Sequence, residues 1–122
     1  MLNNHYNKRN IGKKYEELAI KHLEKEGYRI IGKNFRSQFG EIDIIAKEND
    51  YLVFIEVKYR SSIKSGYPHE AINYNKRNRI AKTAQFYMLK NNIDFQTPCR
   101  FDVVAIINKD LNIIKNAFEF DS

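Results

Sequence analysis

Two acids and a lysine are the residues of this chain whose types and spacing could do chemistry: Asp43, Glu56 and Lys58, named here the Asp–Glu–Lys cluster. Glu56 and Lys58 follow an apolar run at residues 52–55, and such a run predicts a central strand that is covered on both faces. Because side chains alternate along a strand, Glu56 and Lys58 are expected to lie on one face at its end.

A hairpin would bring Asp43 to the same place. Residues 49–50 are a candidate two-residue turn, and antiparallel strands around it pair residues whose numbers add up to 99. In this register Asp43 lies opposite Glu56, and Glu41 lies opposite Lys58, with Cβ atoms roughly 4.5–5.5 Å apart. Two carboxylates this close repel each other unless a proton or a cation lies between them.

A hard divalent cation would relieve that repulsion. Mg²⁺ binds to one or two carboxylates, keeps several waters and takes its remaining ligands from substrate phosphate. With Mg²⁺ or Mn²⁺ held by Asp43 and Glu56, a phosphate is polarised and the pKa of a bound water falls. Lys58 would orient or deprotonate that water, or stabilise the charge that develops on phosphorus. The spacing alone leaves open a plain cross-strand salt bridge between Glu41 and Lys58.

The charge distribution points to an anionic partner. Lys and Arg outnumber Asp and Glu by 21 to 15, and the sequence pI is about 9.4. Residues 1–36 and 73–91 each carry a net charge of +5, and they flank residues 37–72, whose net charge is −2. This arrangement suits a cation site that a polyanion approaches, although two solvated helix faces would explain it as well.

Cysteine usage and hydropathy predict the compartment. With Cys99 as the single cysteine no internal disulfide can form, and its spacing to the three histidines matches no zinc motif. Residues 1–10 lack an apolar signal region, and no stretch approaches the ~18 apolar residues of a membrane span. We therefore expect a cytoplasmic protein that is not associated with a membrane.

Five strands and two helices are expected to position the cluster. Apolar residues at helical spacing predict helices over 12–26 and 74–91, the first of which ends at Gly27. The predicted strands are 28–35, 41–48, 51–58, 100–107 and 111–118. With a parallel crossover from the third strand to the fourth, this order predicts an α/β fold with a mixed sheet between helices. Residues 1–10 are expected to be a flexible segment and 11–122 a single domain.

Basic residues near the cluster are candidate nucleic-acid contacts. Lys76, Arg77 and Arg79 open the second helix without any acid to balance them, and basic side chains oppose the helix dipole at this end. Arg60 follows the third strand, and Arg36 precedes the turn between the first two strands. A solvated basic face is an equally good alternative for the three helix residues, and a solvated residue is the stronger reading for Arg36.

The stretches GEIDIIA at 40–46 and LVFIEVKYR at 52–60 resemble the YraN-like uncharacterised bacterial protein family. Four further segments share the resemblance: 12–23, 66–76, 100–104 and 116–118. The likeness runs from about residue 10 to residue 118, so the combined pattern is far more specific than a lone Glu-x-Lys. That family is similar in layout to the PD-(D/E)xK nuclease superfamily, and especially to archaeal Holliday-junction resolvases.

The resemblance implies a restriction-endonuclease-like α-β-β-β-α-β core, in which the Asp–Glu–Lys cluster supplies the signature residues. The fifth predicted strand would be an extra C-terminal strand beside that core. The resemblance also implies a further metal ligand on the first helix, which maps to Glu16. Two positions depart from the usual pattern. Ile42 stands where the superfamily often has proline, and Tyr15 stands where the family usually has glycine.

These features together predict an endonuclease that hydrolyses DNA phosphodiester bonds with Mg²⁺ or Mn²⁺, and branched or junction DNA is the candidate substrate. A symmetric substrate of this kind would favour a homodimer. The alternative is a non-catalytic protein, either a nucleic-acid-binding module or an adaptor in DNA repair or uptake. For Asp102, inside an apolar strand, we expect a structural bond to a neighbouring backbone group or an arginine.

Overall fold

The computed structural model describes residues 4–62, 64 and 72–119, and for residues 4–10 it describes the backbone alone. Its elements are α1 Asn4–Lys25, β1 Arg29–Ser37, β2 Gly40–Glu48, β3 Tyr51–Arg60, α2 Tyr74–Lys90, β4 Cys99–Ile107 and β5 Asp110–Phe118. The strands form one sheet in the order β1-β2-β3-β4-β5. Only the β3–β4 pair is parallel among the neighbouring strands described, which confirms the predicted mixed sheet with an extra C-terminal strand.

Each face of the sheet carries its own apolar core under one helix. On one face Ala19 and Leu23 of α1 pack against Val53 and Ile55 of β3. On the other face α2 packs against residues that include Phe54. Burying each of these large side chains stabilises the fold by about 1.5–3 kcal/mol. As predicted, β3 is therefore covered on both faces, and its C-terminal end is held at a fixed position between the two helices.

The end of α1 follows from its sequence, whereas its start does not. Gly27 adopts a φ of 96°, and the Tyr28 amide donates to the Leu23 carbonyl at 3.0 Å; this is the glycine stop typical of helix ends. At the other end the helix includes residues 4–10, which have no apolar periodicity, because backbone hydrogen bonds extend a helix once it has formed. The predicted boundary at residue 10 therefore matches no element boundary, and the flexibility of this segment stays a prediction.

The turn between β1 and β2 lies against α2. Gly40 has a φ of +154°, a conformation that side chains rarely adopt. A Cβ atom at this position would lie 3.4 Å from Thr83 Oγ1 and 3.7 Å from Arg79 Cβ. The N-terminal end of α2 is fixed by Asn73, whose Oδ1 accepts the Lys76 amide at 2.9 Å. These contacts hold the first turns of α2 over the start of β2.

A buried polar network closes the opposite end of the sheet. Asp102 is fully buried, and it accepts hydrogen bonds from Arg100 Nε at 2.8 Å and from the Asn116 amide at 2.9 Å. The Tyr28 hydroxyl donates to the same carboxylate at 2.7 Å. The predicted structural role of Asp102 is thus confirmed, with both kinds of partner present.

Two further predictions can be compared with the described residues only. Within the described ranges, no helix combines the length and the apolar character that crossing a membrane requires. Of the family-like segment 66–76, residues 66–71 lie outside the part of the chain that the structure describes.

Candidate active site

The Asp–Glu–Lys cluster lies in one open cavity of about 430 Å³ at the C-terminal end of β3, below the first turns of α2. We name it the β3-end cavity. Its wall also includes Gly40, Glu41, Lys76 and Arg79. The structure therefore brings together the three residues whose types and spacing suggested chemistry.

Strands β2 and β3 separate at this cavity. Their pairing keeps the predicted register as far as Ile44 and Ile55, where the described pairs end. Asp43 Oδ2 instead accepts the backbone N–H of Val57 at 2.8 Å. The expected ladder pairing of Asp43 with Glu56 is therefore wrong, because the Asp43 side chain, and not a backbone carbonyl of β2, accepts the Val57 N–H.

The alternation of side chains along β2 also breaks at Asp43. Ile42 and Ile45 both belong to the core under α2, whereas Ile44 belongs to the core under α1. In a regular strand Ile42 and Ile44 would lie on the same face. The Asp43 carboxylate, which lies between them in sequence, accepts a hydrogen bond from the backbone of β3.

Among the described residues that line the cavity, Glu56 has a buried oxygen without a hydrogen-bond partner. This oxygen is Oε1, and only 6% of the residue is exposed. Burial, followed by the negative charge of Asp43, raises the pKa of Glu56 to about 8, against the opposing pull of Lys76 and Lys58. Buried polar atoms nearly always have a partner, so this carboxyl group is arranged for a cation or for a proton.

The two carboxylates fit a hard divalent cation. Burial, then the charge of Glu41, raises the pKa of Asp43, although the Val57 amide counteracts this. No group of three or more His, Cys, Asp or Glu side chains within the described residues is placed to hold one metal ion. Two carboxylates still suffice for Mg²⁺, which retains waters and takes substrate phosphate as a ligand. The Oε1 atom of Glu56, which has no hydrogen-bond partner, would be available to such an ion.

Lys58 lies beside another lysine rather than beside Glu41. Burial lowers the pKa of Lys58, the nearby Lys76 side chain lowers it further, and the carboxylate of Glu56 works against both. Glu41 instead contacts Arg36 across the β1–β2 pair, with Arg36 Nε 3.5 Å from Glu41 Oε1. The expected Glu41–Lys58 ladder pair is therefore also wrong, because the β2–β3 ladder ends before it. A lysine with a lowered pKa is closer to acting as a base near neutral pH.

Glu16, the predicted ligand on the first helix, lines a neighbouring cavity of about 480 Å³ with Asn34, Arg36 and Glu41. Burial and then the charge of Asp43 raise the pKa of Glu16, so the two carboxyl groups interact electrostatically. Glu41 lines both cavities. The structure thus places Glu16 next to the cluster and not within it, and its role as a metal ligand stays a prediction.

The predicted nucleic-acid contacts fall into three groups. Lys76 and Arg79 line the β3-end cavity itself. Arg36 lines the neighbouring cavity, and 78% of its side chain is exposed. Arg60 and Arg77 line neither of these two cavities; Arg60 ends β3, and Arg77 has a buried Nε without a hydrogen-bond partner.

Two residues of the site were not among the predicted site residues. Glu41 belongs to both cavities, and the register argument had used it only as a partner for Lys58. Gly40 shapes the cavity wall through its positive φ and its close approach to α2. A glycine directly before a predicted strand was the available signal, but many turns contain one, so the position alone could not single it out.

Comparison with known proteins assigns the chain to a family. Residues 15–106, which include the whole β3-end cavity, match the model of the Uncharacterised protein family UPF0102. A UPF0102 protein of Lachnoclostridium phytofermentans is 48% identical over 113 residues, covering 93% of this chain and 96% of its own. One from Persephonella marina is 48% identical over 110 residues, with coverage of 90% and 94%. One from Clostridioides difficile is 47% identical over 105 residues, with coverage of 84% and 91%. The chain belongs to the UPF0102 family, which confirms the YraN-like resemblance.

Proposed function

We propose that this protein is a divalent-metal-dependent endonuclease that hydrolyses DNA phosphodiester bonds, with Asp43, Glu56 and Lys58 as its catalytic residues. The observation that carries the proposal is the state of Glu56. Its Oε1 atom is buried and without a hydrogen-bond partner, and a second carboxylate lies beside it in an open cavity. Such an arrangement is costly for stability unless it serves a ligand.

Asp43 and Glu56 would hold Mg²⁺ or Mn²⁺, with Glu16 as a candidate further ligand, and the ion would supply Lewis acidity and a more acidic water. The first contribution of the protein itself is to position the carboxylate that would bind the ion. Val57 holds the Asp43 carboxylate through its amide, so that this ligand cannot rotate freely. Lys58, whose pKa is lowered by burial, would accept a proton from the attacking water at Nζ, or stabilise the charge on the phosphate oxygens.

The proposed substrate is DNA because cationic groups surround the cavity. Lys76 and Arg79 lie at its wall, and Arg36, Arg60 and Arg77 are available for more distant phosphates. Contacts of this type position the duplex without reading its sequence. Branched or junction DNA is the preferred candidate through the likeness to junction resolvases, a homodimer would suit its symmetry, and the proposed compartment is the cytoplasm.

A non-catalytic nucleic-acid-binding or adaptor protein is the second candidate, and one observation favours it. The Lys76 ammonium already compensates part of the charge of an ionised Glu56, since Lys76 Nζ lies 3.9 Å from Glu56 Oε2, and the raised pKa of Glu56 favours a proton there without any metal ion. A binding module would lose DNA affinity steeply as salt rises, with or without metal. An adaptor would bind DNA weakly and with little salt dependence.

The proposal is tested by incubating wild-type protein with linear, flapped and four-way DNA in Mn²⁺ and in Mg²⁺. The Asp43→Asn/Glu56→Gln variant removes both ligands. The Glu24→Gln/Glu26→Gln variant is the matched control, because it removes the same charge from exposed residues. We expect metal-dependent cleavage of at least one substrate by wild type and by the control but not by the ligand variant. Equal cleavage by all three, or none by any, would refute the proposal.

A further inference from the structure

Lys76 is the third residue of α2, and its position is fixed by the helix cap. Its amide bonds to Asn73 Oδ1 at 2.9 Å, so the backbone cannot follow the side chain. The ammonium group enters the β3-end cavity, where Nζ lies 3.9 Å from Glu56 Oε2, and 33% of the side chain is exposed. A distance of 3.9 Å is beyond the range of a hydrogen bond. The ammonium therefore neutralises Glu56 electrostatically without being locked to it.

The described residues that line the cavity include equal numbers of acidic and basic groups. Three carboxyl groups and three cationic groups line it: Glu41, Asp43, Glu56, Lys58, Lys76 and Arg79. With all six ionised the net charge is zero, so the cavity alone offers little attraction to a polyanion. A bound divalent ion would change this to +2, and a positive site attracts phosphate.

A divalent ion and the Lys76 ammonium would compete for the same carboxylate. Two cations within about 4 Å of one oxygen repel each other strongly in a partly buried site. The Lys58 side chain cannot move away as easily, because it lies on β3 and is half-buried. Lys76 has a long flexible stem and reaches solvent, so it is the cation that can move.

We propose that Lys76 is a tethered cation, which compensates Glu56 until a divalent ion binds and then contacts a phosphate group of the substrate. This inference rests on the proposed metal-dependent function. It assigns Lys76 a double role that an ordinary phosphate contact would not have. The residue weakens the binding of the metal ion and strengthens the binding of DNA once that ion is present, so that the two binding events are coupled.

The arrangement of α2 supports this role. The first turn of the helix contains no acidic residue, so no side chain of this turn would pair with Lys76 in place of Glu56. Arg79 lies one turn further along and lines the same wall. A Lys76 side chain that leaves Glu56 would therefore join an existing cationic edge, on the side from which a phosphate backbone would enter.

The test compares three variants. Lys76→Met keeps most of the side-chain stem and removes its charge, whereas Lys76→Arg keeps a charge. Lys90→Met removes an exposed lysine from the last turn of the same helix. Mg²⁺ alone is titrated calorimetrically into each protein at about pH 9, where Glu56 is ionised. Equilibrium binding of DNA is then measured in Ca²⁺, and thermal unfolding verifies that each variant folds.

We expect Lys76→Met to bind Mg²⁺ at least about tenfold more tightly than wild type, and to bind DNA more weakly in Ca²⁺. Lys90→Met and Lys76→Arg should bind Mg²⁺ like wild type. If wild type binds Mg²⁺ and Lys76→Met binds it no more tightly, the inference is wrong while the proposed function stands. Equal tightening in Lys76→Arg would also overturn the inference, because packing would then be the cause. If wild type binds no Mg²⁺, both are wrong.

Discussion

Replacing Glu56 by glutamine should make the metal-free protein more stable. The pKa of Glu56 is raised from the ordinary value near 4.5 to about 8, so the folded state favours the protonated form. The stability that this proton provides is complete below about pH 4.5 and is lost as pH rises through 8. Glutamine cannot ionise, so Glu56→Gln avoids that loss.

The magnitude follows from the shift in pKa. Each pH unit between 4.5 and 8 removes about 1.4 kcal/mol from the free energy of unfolding of wild type. The variant should therefore be more stable by about 3 kcal/mol at pH 7 and by about 5 kcal/mol above pH 8, as upper values, since local relaxation reduces the cost of a buried charge. Near pH 4.5 the two proteins should have similar stability.

Glu48 provides the matched control. It is buried to the same degree, with 7% exposed against 6% for Glu56, but Arg100 and Lys115 both donate to it, at 2.7 and 2.8 Å. Burial favours a higher pKa for Glu48, yet these hydrogen bonds outweigh it and lower the pKa. Glu48→Gln should therefore destabilise the fold at pH 7, by about 2 kcal/mol. This loss should shrink as the pH falls and Glu48 of wild type becomes protonated.

The assay is urea unfolding of the three proteins at about pH 5, 7 and 8.5 in the presence of a metal chelator, and circular dichroism monitors the unfolding. The stabilities of wild type and Glu56→Gln should diverge as pH rises, and Glu48→Gln should lie below both at pH 7. If Glu56→Gln is no more stable than wild type at pH 8.5, then the neighbouring groups compensate the buried charge of Glu56 fully and its pKa is not raised.

Three further predictions concern the site and its support. Because the pKa of Glu56 is raised to about 8, Mg²⁺ binding should release a larger fraction of a proton at pH 7 than at pH 9, measured calorimetrically in buffers of different ionisation enthalpy; equal release at both would contradict the raised pKa. Gly40→Ala should cost about 1–3 kcal/mol because of its positive φ, whereas Gly12→Ala, in open helical surroundings, should be neutral or stabilising in the same urea assay. Tyr28→Phe, which leaves Asp102 without one donor, should lower the free energy of unfolding by about 1–3 kcal/mol, and an unchanged unfolding midpoint would argue against this bond.

The sheet could be predicted because its patterns leave few alternatives. The apolar run of β3 requires cover on both faces. The short turn at 49–50 then fixes the register with β2, because the loop length of a hairpin determines which residues pair. The observed pairs from Glu48–Tyr51 to Ile44–Ile55 follow that register. The same pattern placed Glu56 and Lys58 on one face at the end of β3, where the structure has them.

The details of the site depend on contacts that no local pattern encodes. The ladder ends at Asp43 because a side chain, and not a backbone carbonyl, takes the Val57 amide. Lys76 reaches Glu56 because Gly40 allows α2 to lie close to the sheet, which is a contact between distant parts of the chain. The early start of α1 escaped prediction because polar residues carry no periodic signal.

The central claim is that Asp43 and Glu56 form a divalent cation site, and calorimetric titration of Mg²⁺ and Mn²⁺ tests it most directly. Wild-type protein should bind one ion per chain, and the Asp43→Asn/Glu56→Gln variant should not bind it, while its thermal unfolding shows that it is folded. Binding that persists unchanged in the variant, or no binding by wild type, would contradict the claim and leave the cluster as a structural group of charges.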